Sequence, residues 1–175
     1  MKFTYLIIAG LFVSACSSPK ESQEEATKEA VVPVATETAA DGVQFKSKGI
    51  QTIYSAYEKL RDALVATDYE TAKTFAAELS KALKTDESTE QQASFADGIL
   101  NAGEIETARA IFSELNNSME SVFEGSVESG ELNQCYCPMA LDNTGAFWFS
   151  TKKEIENPYF GDKMLKCGMI KKTIK

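Results

Sequence analysis

Ile105-Glu-Thr-Ala-Arg-Ala-Ile-Phe-Ser-Glu-Leu-Asn-Asn-Ser-Met-Glu-Ser-Val122 sets Ile105, Ala108, Phe112, Leu115, Met119 and Val122 at alternating three- and four-residue intervals. That period is one apolar face of an α-helix, and it runs up to Gly125. Upstream the same signal recurs. Ile50, Ile53, Tyr54, Tyr57, Leu60 and Leu64 mark a helix starting near Lys48, and Ala72, Phe75, Ala76, Leu79 and Leu83 mark a second. The second follows Thr67-Asp-Tyr-Glu70, which has the form of a capping box. A weaker third helix is expected from Ser88-Thr-Glu-Gln91, another capping-box pattern, through Phe95, Ile99 and Leu100, with Gly98 as a local weakness. Four amphipathic helices with short connections predict an all-α, up-down bundle. The aromatics on these stripes, and Met119, are expected to pack the core rather than line a ligand site.

After Gly125 the helical period stops. Gly125-Ser-Val-Glu-Ser-Gly130 reads as a loop. Gly145-Ala-Phe-Trp-Phe-Ser150, Glu156-Asn-Pro-Tyr-Phe-Gly-Asp162 and the apolar positions Met164, Leu165, Met169 and Ile170 predict short strands and turns with a small core of their own. Pro158 disfavours helix at Asn157, and Gly161 permits a reversal. The Asn157–Asp162 stretch is therefore expected to be a turn that sets the geometry of the downstream sulfurs.

The other end of the chain is an export signal. Lys2, the apolar stretch from Phe3 to Val13, and Val13-Ser-Ala-Cys16 have the layout of a cleaved secretory segment. The apolar run is shorter than the roughly 20 residues a transmembrane helix needs. Val13-Ser-Ala-Cys16 resembles the bacterial lipobox, which implies lipidation at Cys16 and a membrane attachment through that lipid. Ser17 after the lipid cysteine does not resemble an inner-membrane retention signal, which implies the outer membrane, facing the periplasm. Residues 16–45 are rich in Glu, Ala, Thr, Ser and Val without hydrophobic period, and are expected to be a disordered tether. The organisation expected is thus signal 1–15, tether 16–45 and one folded domain 46–175, with its sulfur-rich motif at about 132–170.

Composition excludes several chemistries. The chain of 175 residues has 18 Lys+Arg against 26 Asp+Glu and no histidine. Without histidine there is no Ser-His-Asp or Cys-His arrangement and no imidazole-dependent zinc site. An acidic body with a basic end, seven basic and three acidic residues from Thr151 to Lys175, lacks the coherent basic face that nucleic acid requires. There is no glycine-rich phosphate loop, no carboxylate pair stands out, and no feature calls for an enzyme.

What remains is sulfur. Cys135-Tyr-Cys-Pro-Met139 and Met164-Leu-Lys-Cys-Gly-Met169 each mix thiols with thioethers. Residues two apart on an extended segment share a face, so Cys137 and Met139 can approach one ion, and a turn can bring Met164 and Cys167 to join them. Soft thiolate and thioether ligands favour Cu(I), with Ag(I) as its mimic. Cys135 and Met169 are weaker candidates. A Cys137–Cys167 disulfide is a competing reading, since the compartment beyond an export signal is oxidising, and it leaves Cys135 as a spare thiol. Thiol-redox chemistry is a third.

The run Ile53-Tyr-Ser-Ala-Tyr-Glu-Lys-Leu-Arg-Asp-Ala-Leu-Val-Ala-Thr-Asp68 resembles domain-of-unknown-function family 3347. So do Cys137-Pro-Met-Ala140, Trp148 and Asn157-Pro-Tyr-Phe-Gly-Asp-Lys-Met-Leu-Lys-Cys-Gly168. The likeness spans roughly Lys48 to Ile174. The family's association with heavy-metal efflux implies metal handling at Cys137, Met139, Met164 and Cys167, and an efflux or other envelope protein as partner. Tyr136 stands where family members often have histidine.

Overall fold

The computed structural model describes residues 42–175. The expected signal segment, Cys16 and nearly all of the expected tether lie outside the described residues.

The four helices lie where their apolar stripes place them: α1 (Lys48–Val65), α2 (Tyr69–Leu83), α3 (Glu90–Leu100) and α4 (Ile105–Phe123). Each packs against the next in sequence. On α4 the buried face is Ala108, Phe112, Leu115, Met119 and Phe123; burying each large side chain of this kind stabilises by about 1.5–3 kcal/mol. Gly98 has a positive role: a Cβ there would meet Ile111 Cγ2 at 3.3 Å, so glycine lets α3 lie close against α4.

The helix starts differ from expectation. The cap of α2 is Asp68, whose carboxylate accepts from the Thr71 amide at 3.0 Å. Thr67 is in the left-handed region (φ 59) and its hydroxyl accepts from Arg109 instead, so the Thr67–Glu70 box does not form. Before α3, Asp86 caps a 3-10 turn at Glu87–Thr89. Thr89 donates back to the Leu83 carbonyl, which leaves α3 without a side-chain cap.

The fold is not purely all-α. β1 (Gln44–Phe45) pairs antiparallel with β2 (Val127–Ser129), and β3 (Leu132–Cys137) lies between β4 (Ala146–Ser150) and β5 (Met169–Ile174), antiparallel to both. A four-residue α5 (Ala140–Asn143) joins β3 to β4, with Leu141 and Asp142 in left-handed conformation. The folded part also begins earlier than residue 46, because Val43 and Phe45 are buried in the core.

The C-terminal strands do not form a separate core. Phe149 of β4 packs edge-on to Phe123 at 5.1 Å and to Tyr57 at 6.3 Å, and its amide donates to the Tyr57 hydroxyl at 2.9 Å. That hydroxyl donates in turn to Asn116 Oδ1 at 2.6 Å. Helices and sheet therefore share one continuous core. No helix among the described residues is long and apolar enough to cross a membrane.

Candidate thiol site

Cys135 and Cys137 are two apart on β3 and so project to one face of the sheet. Both are buried. Trp148 stands opposite Cys135 on β4, so its indole shares that face. It is core, packed edge-on to Tyr159 with ring centres 6.1 Å apart. Cys167 comes from the turn preceding β5, where its amide donates to the Met164 carbonyl at 3.0 Å.

These two elements bring the Cys137 and Cys167 sulfurs to 2.8 Å from each other. Cys137 is fully buried while Cys167 is partly exposed. The separation is well under an ordinary non-bonded sulfur contact and longer than the 2.03–2.05 Å of a disulfide. No disulfide bond joins the three described cysteines in this structure. The contact with Cys137 pushes the Cys167 thiol up to about 11, with desolvation adding to it. Burial pushes Cys135 up to about 11, against the opposing pull of Arg61. Of the two, Cys135 is the one that burial itself holds protonated, which makes it a poor nucleophile.

Asn157 is the clasp of the site. Its backbone amide donates to the Leu165 carbonyl at 2.9 Å, its Nδ2 donates to the Cys167 carbonyl at 2.7 Å, and its Oδ1 accepts from the Tyr159 amide at 2.8 Å. The turn expected at Asn157–Asp162 thus does fix the segment that carries Cys167. Gly168 completes it: with φ 144, a Cβ there would lie 2.7 Å from the Trp148 ring, so only glycine lets the chain pass so close to the indole.

The thioethers behave differently from the thiols. Met169 stands opposite Tyr136 in the β3–β5 pairing, so it points to the sheet face away from Cys137 and is 51% exposed. Met139 is 45% exposed. Met164 is half-buried at the start of the turn that ends at Cys167. What converges is therefore a pair of thiols, and Met169 is placed away from it. Among the described residues no group of three or more Cys, Asp or Glu side chains is arranged to hold a metal ion.

Sequence reasoning passed over Arg109. Its Nε donates to the Pro158 carbonyl at 2.8 Å, and its Nη2 to the Leu64 carbonyl and Thr67 Oγ1 at 3.0 and 3.1 Å. One buried guanidinium thereby ties the end of α1 to the Asn157–Asp162 turn. The available signal was a charged residue between Ala108 and Phe112, on the apolar side of α4.

A family model described as a protein of unknown function, DUF3347, matches residues 53–130. Those residues belong to the DUF3347 family. The match takes in most of α1, all of α2 to α4, and β2. It stops short of β3, so all three described cysteines lie C-terminal to the matched DUF3347 stretch. No curated protein and no solved structure matches the chain.

Proposed function

We propose that this is a lipid-anchored envelope protein that binds one soft ion, Cu(I) or Ag(I), through the Cys137 and Cys167 thiolates, to sequester it or pass it to an efflux partner. The observation that carries the reading is the approach of two thiols from segments 30 residues apart in a chain without histidine. Two thiolates suit a soft monovalent ion better than a hard or borderline one. One buried and one partly exposed ligand suits an ion that enters and leaves. Met139 and Met164 are the thioethers near enough in sequence to add to the pair. The outer membrane, with the domain facing the periplasm, follows from the Cys16-Ser17 signal and belongs to the same proposal.

A second reading is a structural Cys137–Cys167 disulfide in a domain that binds another envelope protein without metal. The sulfur separation favours it. Two metal–sulfur bonds of about 2.3 Å hold their sulfurs roughly 3.7–4.6 Å apart, so an ion requires the thiols to part, whereas a disulfide requires them to close by less than about 1 Å. The deciding measurement is a free-thiol count on protein purified in air, followed by anaerobic Cu(I) titration against a chelator after reduction. The metal reading expects tight stoichiometric binding that both Cys137→Ala and Cys167→Ala weaken by at least about 100-fold. Two thiols lost in air, together with unaltered affinity in both variants, would leave the disulfide.

A further inference from the structure

A cleft of about 460 Å³ opens between the N-terminal half of α4, α5 and the Asn157–Asp162 turn. Its size falls in the range of small-ligand sites. Leu141, Tyr159 and Phe160 supply apolar wall, and Arg109 and Lys163 supply positive charge. Arg109 is only 4% exposed, and its Nε and Nη2 are already committed to backbone carbonyls and Thr67. That leaves Nη1, whose ion-pair partner is Glu106 at 3.8 Å, beyond hydrogen-bonding reach. Glu106 is itself 63% exposed, so solvent screens most of its compensation.

Glu106 also lines the cleft, but its carboxylate pairs with Nη1 only at ion-pair range, so this guanidinium edge keeps donors for a second, closer anion, and a guanidinium favours planar carboxylates. Asp142 also borders the cleft, but it is a solvent-exposed residue. The backbone at this border is unusual too. Leu141, Asp142 and Asn143 have φ of 51, 56 and 66; Asp and Asn tolerate this region, whereas Leu141 is there at a cost of roughly 1–2 kcal/mol. Such strain gathers at sites where geometry is held for a ligand.

We propose that this cleft binds a small organic carboxylate with an apolar body, its carboxylate on Arg109 Nη1 with Lys163 beside it, its body against Leu141, Tyr159 and Phe160. The proposal is independent of the thiol chemistry and involves no residue of the sulfur pair. Sodium benzoate, benzylamine and benzyl alcohol are the probes, titrated into the purified protein and followed by NMR shifts of aromatic resonances.

Benzoate is expected to saturate, with benzylamine giving no saturable shift and benzyl alcohol at least about tenfold weaker. Ala110→Trp, which fills the cleft from an exposed position on α4, should abolish benzoate binding, and Lys163→Ala should weaken it about three- to tenfold. Because neither substitution touches a buried group, both should fold normally by circular dichroism. Failure of benzoate to saturate, equal binding of benzylamine, or undiminished binding by Ala110→Trp would overturn the assignment.

Discussion

At the scale of single residues, Asn157 has more influence on the thiol pair than any thioether. Its side chain satisfies one carbonyl and one amide, both in the segment between Pro158 and Gly168, and it is wholly buried. Asn157→Ala leaves both groups unpaired, and we expect a loss of about 2–3 kcal/mol in urea unfolding, together with faster alkylation of Cys167. Much of this site was legible in the sequence. The approach of Cys137 to Cys167 was expected under both the metal and the disulfide readings, and the turn at Asn-Pro-Tyr-Phe-Gly-Asp follows from its proline and glycine. The placing of Met169 does not, because it depends on strand register: a residue opposite Tyr136 faces away from Cys137, and the turn that sets this register has no one-residue signature. Arg109 was hidden for another reason, since a periodicity argument counts apolar positions and passes over a cation whose partners are backbone carbonyls of distant segments.

At the scale of elements, helix existence was readable and helix beginnings were not. Thr67-Asp-Tyr-Glu70 and Asp68-Tyr-Glu-Thr71 overlap, and tertiary contact with Arg109 takes Thr67 away from capping. Short strands were expected in the Cys/Met-containing segment, but the bounds of β3 were not readable, because Leu-Asn-Gln-Cys-Tyr-Cys is buried along nearly its whole length on both faces, which erases the alternation that marks a half-buried strand. The Asp68 cap gives a pH-dependent expectation. Hydrogen bonds from Thr71 hold its carboxyl below the usual carboxylate range, so its stabilisation is complete above about pH 4 and is lost as pH falls through the folded value. Asp68→Asn keeps an accepting oxygen and should show a flatter dependence of Tm on pH between about 2 and 5. The β3-to-β5 connection yields a second expectation. Closing Cys137 to Cys167 encircles about 30 residues, and oxidation should raise stability by about 3–4 kcal/mol in the loop-entropy picture, a gain that reductant removes. Equal denaturation midpoints for oxidised and reduced protein would argue that no such bond closes.

At the scale of the whole molecule, the matched family stretch and the folding unit are not the same. Residues 53–130 supply most of the helical layer, but Phe149 covers the Tyr57 and Phe123 rings and gives Tyr57 its buried amide donor. A fragment ending at residue 130 would expose that aromatic face, and we expect it to aggregate or to unfold without a cooperative transition, as monitored by heat denaturation and light scattering. The charge asymmetry has a matching explanation. Lys172 reaches Glu120 and Glu124, and Lys175 reaches Glu131, so some of the basic end neutralises part of the acidic body, at solvent-screened sites worth little individually. Finally, the indole of Trp148 lies on the sheet face of Cys137 and against Gly168, next to Cys167, and it is the chain's one tryptophan. The protein therefore carries a single-site fluorophore at the place where its sulfur chemistry is proposed to occur. Emission intensity in an unlabelled sample would follow reduction, oxidation or ion loading in real time, with no other indole to dilute the signal.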